Sequence, residues 1–86
     1  MRTGKVAALN TSRGIAAIAT EDGGYTIIEL QSHWELASGD VIAWDNDYGL
    51  GSEIYKNVTK RTHAQVFVQN HDVSQSSLRA QLRLPS

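Results

Sequence analysis

The stretch that most constrains this chain is a pair of short apolar runs, Gly14-Ile15-Ala16-Ala17-Ile18-Ala19-Thr20 and Tyr25-Thr26-Ile27-Ile28-Glu29, joined by Glu21-Asp22-Gly23-Gly24. Asp-Gly and Gly-Gly tolerate positive φ and close tight turns, while Ile and Thr suit a pleated surface, so the stretch reads as a β-hairpin. Lys5-Val6-Ala7-Ala8-Leu9-Asn10 supplies a strand before it, entering through the polar turn Asn10-Thr11-Ser12-Arg13-Gly14. The first three strands therefore form a meander over residues 5–10, 14–20 and 25–30.

After the polar loop Gln31-Ser32-His33-Trp34-Glu35-Leu36, the run Val41-Ile42-Ala43-Trp44-Asp45 reads as a fourth strand, with Ile42 and Trp44 facing inward by the period of two. The turn-rich Asn46-Asp47-Tyr48-Gly49-Leu50-Gly51-Ser52 leads to a fifth strand from Ile54 to Thr62. Five short strands on turn-rich connections predict an all-β fold, a small barrel whose closure removes exposed edges. Beyond residue 62 the pattern changes. Ala64-Gln65-Val66-Phe67-Val68-Gln69 is again extended, with Phe67 pointing opposite to Ala64, Val66 and Val68, and Asn70-His71-Asp72 is expected to break it. Ser74 to Leu84 reads as a short helix with Leu78 and Leu82 on one face. Asp72 or Ser74 is its candidate cap, Arg79 and Arg83 suit its C-terminal end, and Pro85 ends it. A helix this short forms only against an apolar surface. The expected organisation is a barrel over residues 1–62 and a C-terminal extension of strand plus short helix over residues 63–86.

Composition narrows the function. Eighty-six residues make one domain, and without cysteine there is neither a disulfide nor thiolate chemistry. A net charge of −1 argues against a general polyanion binder, although it leaves room for a small basic patch. The N-terminus carries no secretory pattern and no apolar run approaches the ~20 residues that cross a bilayer, so the expected location is cytoplasmic, with no membrane partner. His33, His63 and His71 are scattered without metal-ligand spacing, no Gly-x-Ser-x-Gly or phosphate-binding glycine motif precedes a helix, and Asp45-Asn46-Asp47 is a turn signal. No enzymatic activity and no cofactor are expected.

The order of features resembles a cold-shock domain, a five-stranded OB-type barrel. The matching residues are Gly4-Lys5-Val6, Asn10, Arg13-Gly14, Ile18, Asp22-Gly23, then Leu36, Gly39, Ile42 and Trp44, and finally Gly51 with Asn57-Val58-Thr59, together spanning residues 2–59. The resemblance implies single-stranded RNA or DNA binding, with bases stacked on aromatic side chains of the first three strands. This chain departs from that pattern where it matters most. Ala7, Ala8 and Leu9 stand for the family's Lys-Trp-Phe, Arg13-Gly14-Ile15-Ala16-Ala17-Ile18 for its Lys-Gly-Phe-Gly-Phe-Ile, and Thr26-Ile27-Ile28-Glu29 for its Val-Phe-Val-His. The core positions Val6, Ile18 and Ile28 are kept, whereas every stacking aromatic has become aliphatic.

Two functions follow as expectations. The first is a non-catalytic module binding single-stranded nucleic acid weakly, through Lys5, Arg13, Ile15, Ile27, Lys56, Lys60 and Arg61, with Lys56 and Lys60 sharing one face of the fifth strand. The second is a protein-interaction or self-association module, including a homodimer, through Ala8, Ile15, Ala17, Ile27 and Trp34, because exposed aliphatics suit a protein partner. Either another chain covers that face, or the C-terminal segment closes it in cis through Val66, Val68, Leu78 and Leu82. Trp34 is alternatively a plug at one end of the barrel, and Tyr48 is the better candidate for an exposed aromatic.

Overall fold

The computed structural model describes residues 1–84; Pro85, expected to end the helix, lies outside the described residues. Six strands, β1 (Arg2–Asn10), β2 (Ile15–Thr20), β3 (Tyr25–Leu30), β4 (Val41–Trp44), β5 (Gly51–Asn57) and β6 (Thr62–Val73), are followed by a 3-10 turn (Gln75–Ser77) and one α-helical turn, α1 (Leu78–Gln81). The strands close into an antiparallel barrel in the order β1-β2-β3-β6-β5-β4, with β4 returning to β1.

The barrel thus has six strands where the sequence pattern predicts five. Residues 54–62 do not form one strand, because β5 stops at Asn57 and the chain reverses over residues 58–61, where Arg61 takes a φ of 57°. The following strand then pairs on both sides, with β5 from Asn57↔Thr62 to Gly51↔Val68 and with β3 from Leu30↔Val66 to Tyr25↔Val73. Residues 62–73 are therefore barrel wall, and they cover the edges that β3 and β5 would otherwise leave open. Nor do Asn70, His71 and Asp72 break this strand. Register shifts opposite Ile27 absorb the irregularity, and Asp72 sits at a φ of 54°.

The period of two sorts the side chains. Val6, Ala16, Ile18, Ile28, Ile42, Trp44, Tyr55, Val66 and Val68 fill the interior, and Trp34 reaches it from the loop after β3. Burial of each large aliphatic or aromatic group stabilises by about 1.5–3 kcal/mol. The rings of Trp44 and Tyr55 stack with centroids 4.5 Å apart and planes 2° from parallel. A bulge in β1 between Val6 and Ala8 shifts the register, so that Leu9 packs against the interior while Ala8 joins a second cluster outside. At Gly4, a Cβ would lie 2.5 Å from the Ala19 carbonyl oxygen, so only glycine lets β1 and β2 approach this closely.

Candidate nucleic-acid interface

The aliphatic face of the meander is not open. Ile15, Ala17 and Ile27 are at most 1% exposed and form a cluster with Val73 and Leu82, against which Ala8, Tyr25, Leu78 and Leu84 also pack. The C-terminal segment closes this face in cis, and Asn10 Nδ2 donates to the buried Leu82 carbonyl at 2.7 Å. This corrects the assignment of Ile15 and Ile27 to nucleic acid and of Ala8, Ile15, Ala17 and Ile27 to a protein partner, since in this conformation the chain's own leucines occupy the face. It also corrects the means of closure. Val66 and Val68 point into the barrel, and Val73 and Leu84 take the places expected of them. Ser74 occupies the N-cap position but makes no side-chain capping bond, and Asp72 lies within β6.

Trp34 is likewise withdrawn from a partner. It is 8% exposed, packs in the interior cluster and donates its indole N–H to Thr62 Oγ1 at 2.9 Å, plugging the end of the barrel where β6 begins.

The basic residues separate into two sets. Lys60, placed by the turn rather than by a strand, gives its Nζ to Asp40 Oδ2 at 3.1 Å. The same carboxylate oxygen accepts from Asn57 Nδ2 at 2.8 Å and from the Ala37 amide at 3.0 Å. The Asn57 bond first, with the Ala37 and Lys60 contacts, holds the Asp40 carboxyl below the usual carboxylate range although burial opposes it. Further bonds fasten the turn, with Lys60 N donating to Asn57 Oδ1, Val41 N to Thr59 Oγ1 and Val58 N to the Val41 carbonyl. Lys60 is thus a structural tie, and the expected Lys56–Lys60 row on one strand face does not exist.

This fastening fixes the other set. Lys56 on β5 is directly opposite His63 on β6, both are exposed, and Arg61 is exposed on the turn between the strands. A shallow cleft of about 360 Å³ runs between Lys56, Val58, Arg61 and His63. Lys5 belongs to the same outer surface, with Lys5↔Val41 on β1 and β4 and Ala43↔Lys56 on β4 and β5. By strand alternation Ile54 and Phe67 also project here, 53% and 41% exposed. At the Phe67 end the charge reverses, since Glu29 lies opposite Phe67 and accepts from Gln69 Nε2 at 3.3 Å. Arg13 stands apart, exposed on the β1–β2 turn.

No family model, curated protein or solved structure matches this chain.

One cluster was not foreseen from the sequence. Arg2 caps the opposite end of the barrel, where its guanidinium donates to Asp22 Oδ2 at 2.8 Å and lies 4.3 Å from the Tyr48 ring centroid. Tyr48 in turn meets His71 edge-on at 5.5 Å, and His71 bonds through its two ring nitrogens to Thr26 Oγ1 and to the Gly49 carbonyl. Thr20 Oγ1 also donates to Asp22 Oδ1. These bonds, that from Thr20 foremost and that from Arg2 next, pull the Asp22 carboxyl down to about 2. Tyr48, the expected exposed aromatic, is indeed 54% exposed, but its ring already holds a cation. The cluster joins residues far apart in sequence, and only the closed barrel brings them together. Among the described residues no group of His, Cys, Asp or Glu is arranged to hold a metal ion, and no helix is long and apolar enough to cross a membrane.

Proposed function

We propose that this protein is a non-catalytic, cold-shock-like binding module of the cytoplasm that holds single-stranded nucleic acid weakly, on the outer face of β4, β5 and β6 rather than on the meander. The observation that carries the reading is the exposed cross-strand pair Lys56–His63 with Arg61 on the turn between them, aligned with an exposed aromatic, Phe67, on the same strand as His63. Lys56, Arg61 and Lys5 meet phosphates, and Phe67 offers a π-face to one base. Because Asp40 has neutralised Lys60, few cations remain, and the nearby Glu29 limits the track to the turn-proximal part of the face. Weak binding follows from that short track. The resemblance to cold-shock domains supports the fold part of this reading, and β6 is where the chain departs from a five-stranded barrel.

The test is a titration with a short mixed-sequence single-stranded oligonucleotide at several salt concentrations, followed by amide shifts. Three phosphate contacts predict a slope of log K against log salt of about −2, since each released counterion contributes about 0.7 on a single strand. Lys56→Glu is expected to weaken binding and flatten that slope, and Phe67→Ala to cost about 1–3 kcal/mol of affinity with the slope unchanged. Shifts confined to other surfaces, or none at low salt, reject the reading. A second reading rests on the exposed apolar side chains Ile54, Val58 and Phe67, which suit a protein partner on this same face. Such a complex would be nearly insensitive to salt.

A further inference from the structure

The C-terminal segment lies on the face opposite in role to the β5–β6 ribbon, and its seating has features that the nucleic-acid reading does not use. Its leucines pack with Ala8 and Tyr25 over Ile15, Ala17 and Ile27 on the outer side of the meander, and those three are at most 1% exposed. The segment has little order of its own. It consists of a 3-10 turn and four α-helical residues, and neither Ser74 nor Ser77 makes a side-chain capping bond. A helix of that length does not persist unaided in water. What fixes it is the seat itself: Val73, Leu78, Leu82 and Leu84 against the sheet, and Asn10 Nδ2 on the Leu82 carbonyl. None of these contacts depends on whether the segment and the sheet belong to the same chain.

The connection to the barrel is the second observation. Asp72 precedes Val73 at a φ of 54°, in the left-handed region, which Asp enters at a lower cost than most residues with a Cβ but a higher one than glycine. Gly24 leaves room for this turn of the backbone, since a Cβ there would lie 3.1 Å from Asp72 Cα. An extended backbone at Asp72 relieves this strain and carries the following residues away from their own sheet.

We propose that residues 73–84 exchange between two copies of this chain, each segment seating on the β1–β2–β3 face of the other barrel to form a reciprocal dimer. The interface is isologous, both seats are filled, and neither barrel leaves its aliphatic face exposed. Relief at two Asp72 hinges favours the dimer. The lost freedom of two independent bodies opposes it, so the dimer grows with concentration.

Sedimentation of the full chain from micromolar to millimolar concentration tests this, together with filtered NMR on a mixture of labelled and unlabelled chains. The expected result is a monomer–dimer equilibrium with contacts between Leu82 of one chain and Ile27 of the other. Asp72→Gly, which adopts positive φ without strain, is expected to lower the association constant about tenfold, and Asp72→Val to raise it about tenfold, because a β-branched residue resists that conformation. Leu82→Asp abolishes the dimer. The proposal is overturned if the native chain and Asp72→Val both stay monomeric at millimolar concentration. It is equally overturned by a dimer that survives Leu82→Asp or shows no Leu82–Ile27 contact between chains, since that dimer uses another surface.

Discussion

At Tyr55 the ring lies flat against Trp44 while the hydroxyl, buried in the barrel, finds no hydrogen-bond partner among the described residues. Burial pushes the phenol well above the ordinary tyrosine range. An unpaired buried hydroxyl costs free energy that its removal recovers, whereas the stacked ring contributes through packing. Tyr55→Phe is therefore expected to stabilise the protein by about 1 kcal/mol, read as a raised midpoint in urea. A fall in the midpoint shows that the hydroxyl is satisfied by a group the packing does not reveal. Asn57 is the contrasting residue. It is fully buried, but its amide nitrogen and oxygen are both engaged, by Asp40 and by the Lys60 amide, so here polarity organises the turn that presents Lys56 and Arg61.

Among the elements, the C-terminal segment and the sheet it covers depend on each other. Leu82→Ala leaves a gap over Ile15 and Ile27 and is expected to cost about 2–3 kcal/mol, with new binding of a hydrophobic dye where the face opens. An unchanged melting temperature and no dye signal would show that the segment adds nothing to the fold. How much of these elements was legible depends on the distance over which each signal acts. The meander and its turn at Asp22-Gly23 are local, and the alternation of Val6, Ile18, Ile28, Ile42 and Trp44 reports the inward face faithfully. For β6 the alternation of Val66, Phe67 and Val68 was equally readable, yet it says nothing of which strands will flank it. The outer aliphatics Ile15, Ala17 and Ile27 were identified, while their burial rests on Leu82, more than fifty residues away along the chain. The ribbon site failed at the turn, because nothing local separates a strand running through Lys60 from a reversal held by Asp40 and Thr59.

For the molecule as a whole, two depressed carboxylates set the response to acid. Asp22 titrates at about 2 and Asp40 below the usual range, whereas in the unfolded chain both return to about 3.9. Below that value the unfolded state takes up protons that the folded state refuses, so acid favours unfolding. The stability these groups provide is fully present above about pH 5 and is lost as the pH falls through the folded values. The urea midpoint is expected to hold steady from neutrality to mildly acid solution and then to drop. Asp22→Asn should make that drop shallower, and a midpoint with the same acid dependence in Asp22→Asn would remove the Arg2–Thr20 cradle from the account.

The seam of the barrel also has a consequence in time. β6 pairs with β3 on one side and β5 on the other, and no other strand touches both. During synthesis the meander emerges first, but its last strand, paired with β2 on one side, has no partner on the other until some thirty residues later the chain delivers β6. A ribosome-bound chain that has exposed only residues up to the turn at Arg61 holds an open sheet with two unsatisfied borders. Cooperative folding waits for the strand that fills the gap, and the interval before it arrives is when this small protein most needs protection from its neighbours.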